Sequence, residues 1–257
     1  MARNKGQATI WIILAVLLVG VVILFLSLER EPEKQDVSGG EVSFDVVSFL
    51  ETCIKPKIIE TVDLMLPQGG FLNPKNSIFF NNINIEYVCK NIGYYEPCIN
   101  QHPMLIKEVE EQIEEQTLEK VVSCLDRMKA ELERRGGEVI FDSNAPKYNV
   151  ELAPDRIFTD IEKKTTVSKD GETRSFDNFR IEIEHPTHNL LTIAGEIAAQ
   201  EAKYCYFEYV GYSILYPKYE IRKYTMSEPT KIYTIKELNS GIEMNTAIRG
   251  CAIPAGF

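Results

Sequence analysis

Few side chains in this sequence could do chemistry, and their spacing argues more for structure than for turnover. Only three histidines occur among 257 residues: His102, His185 and His188. The pair in His185-Pro-Thr-His188 has a spacing that can bind a metal, with Glu184 as the nearest carboxylate in sequence. It falls at a predicted strand-to-helix corner with a proline inside, which favours a capped loop. Glu182 and Glu184 share one face of a predicted strand, and alternate outward carboxylates need no glycosidase role. GxSxG, HExxH, P-loop and GxGxxG motifs are absent. The expectation is a non-enzymatic chain with no catalytic residue, no cofactor and no metal. A tethered hydrolase or metal-binding protein around His185, His188 and Glu184 stays open as the alternative.

The six cysteines (Cys53, Cys89, Cys98, Cys124, Cys205, Cys251) carry more information. None precedes Cys53, and no CxxC pair or Cys/His cluster suggests zinc, so the set reads as a disulfide framework. Cys89 and Cys98 flank a turn-like stretch and should close a short loop. Cys53 and Cys124 fall on the apolar seams of two predicted helices, which suggests a staple between them. Cys205 and Cys251 remain for each other. Residues 204–219 hold six of the twelve tyrosines and Phe207. They suit either core packing or a surface that stacks on sugars or a protein, with Tyr206, Tyr209, Tyr212 and Tyr216 as the candidates.

Charge is segregated. Residues 29–257 hold 38 acidic and 26 basic side chains, a net charge of −12, whereas Arg3 and Lys5 are the only charged side chains before Glu29. An acidic body offers nothing to a phosphate backbone, so nucleic acid is not an expected partner. Ile10 to Leu28 is an uncharged run, nineteen residues long, apolar on every side. As a helix it would cover roughly 28 Å, close to the hydrocarbon thickness of a bilayer. The flanking charges place the N-terminus in the cytoplasm and the remainder outside, with Trp11 at the inner interface. The span is then the membrane contact of a single-pass cell-membrane protein. No small-x-small site follows the run, which argues against a cleaved secretory signal.

Lys5-Gly6-Gln7 leads directly into that run. It resembles the class III signal of archaeal prepilin-like proteins, which implies a prepilin peptidase as a partner, cutting between Gly6 and Gln7. An uncleaved signal anchor is the alternative. The pattern departs at Trp11, where many filament-forming pilins carry Glu, and at the linker-like EREPEKQDVSGGEV, which interrupts the long pilin helix. Both departures weigh against a filament subunit, the remaining alternative. The layout as a whole is similar to a group of single-pass archaeal surface proteins. These share the KGQ-type start, an early Cys-bearing helix ended by Gln68-Gly69-Gly70, a second helix with Cys124 and a β-rich second half. The resemblance implies a surface protein in adhesion or in envelope or pilus assembly, with other envelope proteins as partners. It carries no activity.

The elements that must position these residues follow from periodicity. Ser48-Phe-Leu-Glu51 matches a capping box opening a helix through Leu66, which Pro56 should kink or delay. Residues 71–102 read as loop with one short strand, Ile83–Val88. Leu105, Val109, Ile113, Thr117, Val121, Cys124, Met128 and Leu132 mark a long amphipathic helix ending at Gly136-Gly137. Its glutamate-rich first half reads as a solvated face. EVIFD and YNVEL read as strands, and Arg156–Val167 with Thr173–Glu184 as a hairpin. A helix over Asn189–Lys203 and three alternating segments complete the chain. The expected fold is α+β: an N-terminal transmembrane helix, then a helical front half packed on an antiparallel sheet and stapled by disulfides. By residue number this gives a leader 1–6, a membrane helix 7–28, a linker 29–42 and an extracellular domain 43–257, with a division near 136 left open.

Overall fold

The computed structural model describes residues 18, 36–37, 44–93, 95–226 and 229–250. The leader with Lys5, Gly6 and Gln7, the apolar run apart from Leu18, nearly all of the linker, and Cys251 lie outside those residues. Among the described residues no helix is long and apolar enough to cross a membrane. The chain divides after Asp36 into two contact units, and all elements below belong to the second, from Val37 onward.

Helix α1 spans Val46–Met65, and Asp45 caps it, its carboxylate accepting from the Ser48 N–H at 3.1 Å. The expected capping box at Ser48 is therefore displaced by three residues. Pro56 lies inside the helix without dividing it. Pro56 and Thr52, one turn before it, are both exposed, so the proline lies on the outer side of the helix. Opposite, Leu50, Ile54, Ile58 and Val62 are buried and anchor the helix on both sides of the proline. A 3-10 turn, Leu66–Gln68, and two left-handed glycines, Gly69 (φ 87°) and Gly70 (φ 93°), end it. A Cβ on Gly70 would come within 3.2 Å of Val109 and Leu191, so glycine is required there twice over.

Helix α2, Leu105–Arg134, buries every position of its predicted stripe. Cys53 and Cys124 are bonded across α1 and α2, and Cys89–Cys98 closes the short loop. The glutamate-rich half is only partly a solvated face. Glu110 is buried, its carboxylate accepting the Leu152 N–H at 2.8 Å, and Glu114 accepts the Val150 N–H at the same distance. The two carboxylates thus occupy backbone donors on the open edge of a strand that would otherwise invite pairing.

The strands from Ser77 onward form two sheets, where one antiparallel sheet was expected. In the smaller, β6 (Arg156–Lys169) is central. Strand β7 (Glu172–Glu184) runs along one side, and β4 (Glu138–Phe141) and β5 (Lys147–Ala153) lie along different stretches of the other. Asp170 and Gly171, both at positive φ, make the two-residue turn between β6 and β7. The larger sheet has the order β8 (Tyr219–Thr225), β9 (Thr230–Glu237), β10 (Glu243–Arg249), β2 (Ile83–Lys90), β1 (Ser77–Phe80). A two-residue strand β3 (Ile99–Asn100) lies beside β2. This sheet is mixed, because β10 and β2 are parallel. The front half is thus not purely helical, since β1 to β3 come from residues assigned mainly to loop.

Helix α3, Thr187–Tyr204, packs against β2, β9 and β10 of the larger sheet and against β5 and β6 of the smaller. That position explains its composition. Leu190, Leu191, Ile193, Ala194, Ile197 and Ala198 are all buried, with alanines where the helix is crowded. One core cluster runs from Val46 on α1 to Ile248 on β10. The fold is α+β, with helices packed on sheets and two disulfides placed among the described residues.

Candidate binding surface

The tyrosine-rich segment stands on a buried polar foundation. Glu201, in the last turn of α3, is fully buried. One carboxylate oxygen accepts from Lys231 Nζ at 2.6 Å and the other from the Tyr233 hydroxyl at 2.5 Å. Lys231 also donates to the carbonyl of Cys205 at 2.7 Å. Burial, and then the bond to Glu201, push the Tyr233 phenol far above its ordinary pKa, so it stays a donor. Cys205 ends α3 in the left-handed conformation at φ 55° and is disulfide-bonded. Its expected partner, Cys251, is outside the described residues.

From Cys205 the chain turns onto the surface. Phe207 is buried edge-on against Tyr233, ring centroids 5.9 Å apart, and tilted against Tyr212 at 5.5 Å. Tyr209 and Tyr212 are partly buried against the main core, and Tyr212 packs on Tyr216 at 4.7 Å. Tyr206 and Tyr216 are exposed, at 43% and 52%. The four candidates therefore divide into two that pack and two that face solvent.

Helix α4, Tyr209–Leu215, places the rest of the patch. Glu208 caps it, accepting from the Gly211 N–H at 3.3 Å and from the Tyr206 hydroxyl at 2.5 Å. The Tyr206 bond and the backbone N–H hold the Glu208 carboxyl below its usual range, and the same bond raises the Tyr206 phenol. Burial, with Glu196 nearby, pushes Tyr212 up to about 12. The Ile221 N–H donates to Ser213 Oγ at 3.2 Å and fastens α4 to β8. No residue of α4 is fully buried. Ile214 and Leu215 are each 75% exposed, and Val210 and, on β8, Tyr224 are exposed too. Lys223 lies over the rings of Tyr206 and Tyr209 at 5.3 and 5.0 Å.

This arrangement is a surface with one hydroxyl–carboxylate pair, Tyr206–Glu208, which caps α4. It offers aromatic faces with polar tips, aliphatic side chains without partners and a lysine fixed over two rings. Those are the components of an interface that excludes water around anchors. The sequence pointed to the tyrosines. It did not reveal Val210, Ile214 and Leu215, because an aliphatic helix normally reads as core.

The histidines are placed differently. His185 is buried, its Nδ1 2.5 Å from Thr187 Oγ1 and its Nε2 3.6 Å from Asp63 Oδ1. Burial lowers its pKa, and Asp63 works in the opposite direction. Glu184 is exposed, and His188 is half-buried with its Nδ1 enclosed and unbonded. Among the described residues no group of three His, Cys, Asp or Glu side chains could hold a metal ion. Glu182 pairs with Arg156 across the strands. His102 has a role that its position in a supposed loop concealed. It packs tilted against Phe71 with centroids 4.4 Å apart and places Nδ1 2.6 Å from Glu108. Its Nε2 lies 3.6 Å from the buried Glu86, whose carboxylate accepts the Asn76 N–H.

No family model, curated protein or solved structure matches the chain.

Proposed function

We propose that this chain is a single-pass membrane protein whose body stands outside the cell and binds a partner through the α4 surface, without catalysis. The observation that carries this reading is the oxidised state of the body. Cys53–Cys124 and Cys89–Cys98 are disulfides, Cys205 is also bonded, and all three follow an apolar run flanked by base on one side and acid on the other. Disulfides persist in oxidising compartments. The flanking charges orient the run with its N-terminus inside. Its uncharged length suits one bilayer crossing. The exposed aliphatic and aromatic side chains of α4 supply a surface of the kind adhesion or envelope assembly requires.

Lys5-Gly6-Gln7 further supports entry through a prepilin-type route, with prepilin peptidase removing residues 1–6. Membranes washed in alkaline carbonate test the anchor, and N-terminal sequencing of the retained chain tests the processing. The reading expects the chain to stay in the pellet with Gln7 as its first residue. A chain released by carbonate contradicts the anchor, whereas a retained chain beginning elsewhere contradicts only the processing.

A further inference from the structure

Lys90, the last residue of β2, directs its ammonium at an amide and not at an acid. Nζ hydrogen-bonds to Oδ1 of Asn76, the residue just before β1, and lies 4.8 Å from the centre of the Tyr87 ring. It forms no ion pair among the described residues, although 38 acidic side chains follow the apolar run. The backbone holds both partners in place. The Asn76 carbonyl accepts the Tyr87 N–H at 2.8 Å, and the Asn76 N–H donates to the two oxygens of Glu86 at 3.0 and 3.2 Å. Tyr87 is buried, with its hydroxyl 3.2 Å from Thr230 Oγ1, so the ring beside the ammonium is fixed as well. An amine hydrogen-bonded to Oδ1 is within about 4 Å of Cγ, and a turn of the amide brings it to the ~3–3.5 Å of a near-attack arrangement.

A buried carboxylate adjoins the same asparagine. Glu86 is 4% exposed, and Nε2 of His102 lies 3.6 Å from its Oε1. His102 Nδ1 is 2.6 Å from Glu108, which reaches the surface. These three side chains form a line along which a proton can be taken up and returned. Strand β1 is the edge of the larger sheet and pairs only with β2 among the described residues. A link between Asn76 and Lys90 thus ties down the strand most free to leave, beside the loop already closed by Cys89–Cys98.

We propose that Lys90 and Asn76 form a modification site, at which the chain closes an isopeptide bond between its own β1 and β2. Glu86 accepts a proton from the Lys90 ammonium, and the freed amine attacks Cγ of Asn76. The Nζ–Cγ bond forms, the Cγ–Nδ2 bond breaks, and Glu86 returns its proton to Nδ2. Of the three ammonium protons, one stays on the new amide and two leave with the NH2 group as an ammonium ion. The step therefore needs no oxidant, reductant or second substrate. It goes beyond the anchor and the α4 surface and depends on neither.

Trypsin reads the bond directly. Residues 76–90 and 91–107 are consecutive tryptic peptides, ending at Lys90 and Lys107, and an acylated Lys90 is not cut. The full chain purified in detergent, then reduced and alkylated, should yield 76–107 as one peptide, lighter than its sequence by one ammonia, about 17 Da. Fragment spectra should place the loss between Asn76 and Lys90, which separates it from cyclisation of an N-terminal Gln7. Lys90→Arg keeps the positive charge without the nucleophile and should restore two separate peptides at full mass. Glu86→Gln should cut the linked fraction roughly tenfold or more. Wild-type protein that releases 76–90 and 91–107 at full mass overturns the proposal, as does a loss of ammonia placed at any other residue. A Glu86→Gln chain linked as fully as the wild type overturns the role given to the carboxylate.

Discussion

Nζ of Lys231 lies 2.6 Å from Oε2 of Glu201, a carboxylate with no exposed surface, and this pair joins the last turn of α3 to the first residues of β9. The bond fixes the point from which the tyrosine segment departs, since the same ammonium holds the carbonyl of Cys205. Lys231→Met should therefore leave a buried charge without its partner and cost about 3 kcal/mol. The double variant Glu201→Gln/Lys231→Met should lose less than Lys231→Met alone, because no charge is then stranded. Chemical unfolding of the wild type, Lys231→Met, Glu201→Gln and the double variant decides it. Additive losses would show that the pair is not coupled.

The two described disulfides close loops of very different length, with sequence separations of 71 and 9. In the chain-entropy model the longer contributes about 4 kcal/mol and the shorter about 3 kcal/mol. Paired replacement by serine at Cys53 and Cys124 should lower the thermal midpoint more than the same change at Cys89 and Cys98. The reverse order would mean that native packing around the short loop outweighs loop closure.

A buried histidine contributes to the acid end of the pH profile, and Tyr148, with Tyr212 and Tyr233, to the alkaline end. Burial lowers the pKa of His185 from 6.5 despite Asp63, so the folded state binds fewer protons than the unfolded state just below that value. Its contribution is present above pH 6.5 and is lost as the pH falls through the lower folded value. Burial raises Tyr148 from 10.0 to about 12, its hydroxyl 2.9 Å from Thr117 Oγ1. That contribution is present below pH 10 and is lost as the pH rises through about 12. The slope of thermal midpoint against pH should become shallower below pH 6.5 in His185→Gln and above pH 10 in Tyr148→Phe, Tyr212 and Tyr233 keeping the rest of the alkaline limb. Unchanged slopes would assign the limbs to other groups.

What could be read in the sequence followed the strength of its periodicity. The α2 stripe from Leu105 to Leu132 and the β6–β7 hairpin around Asp170-Gly171 are repetitive and locally determined. The start of α1 was misplaced because Ser48 and Asp45 are both competent caps, and burial of Val46 selects the earlier one. Strand β1 was overlooked although Asn81 and Asn82, both at positive φ, separate two apolar runs as a two-residue hairpin turn should. The pairing of β10 with β2 joins residues about 160 positions apart in the chain, and nothing local encodes it. The same holds for the candidate surface. Its tyrosines stand out in composition, whereas the exposure of Ile214 and Leu215 depends on α4 resting on β8 and not beneath it.

The central claim is that the body from Val37 onward lies outside a membrane crossed once. Protease treatment of intact cells, followed by mass spectrometry of released and retained peptides, tests it most directly. The account predicts that peptides from residues 44–250 are released from intact cells after reduction of the disulfides, while the segment up to Leu28 stays with the membrane. Body peptides that remain protected until the cells are broken would contradict it.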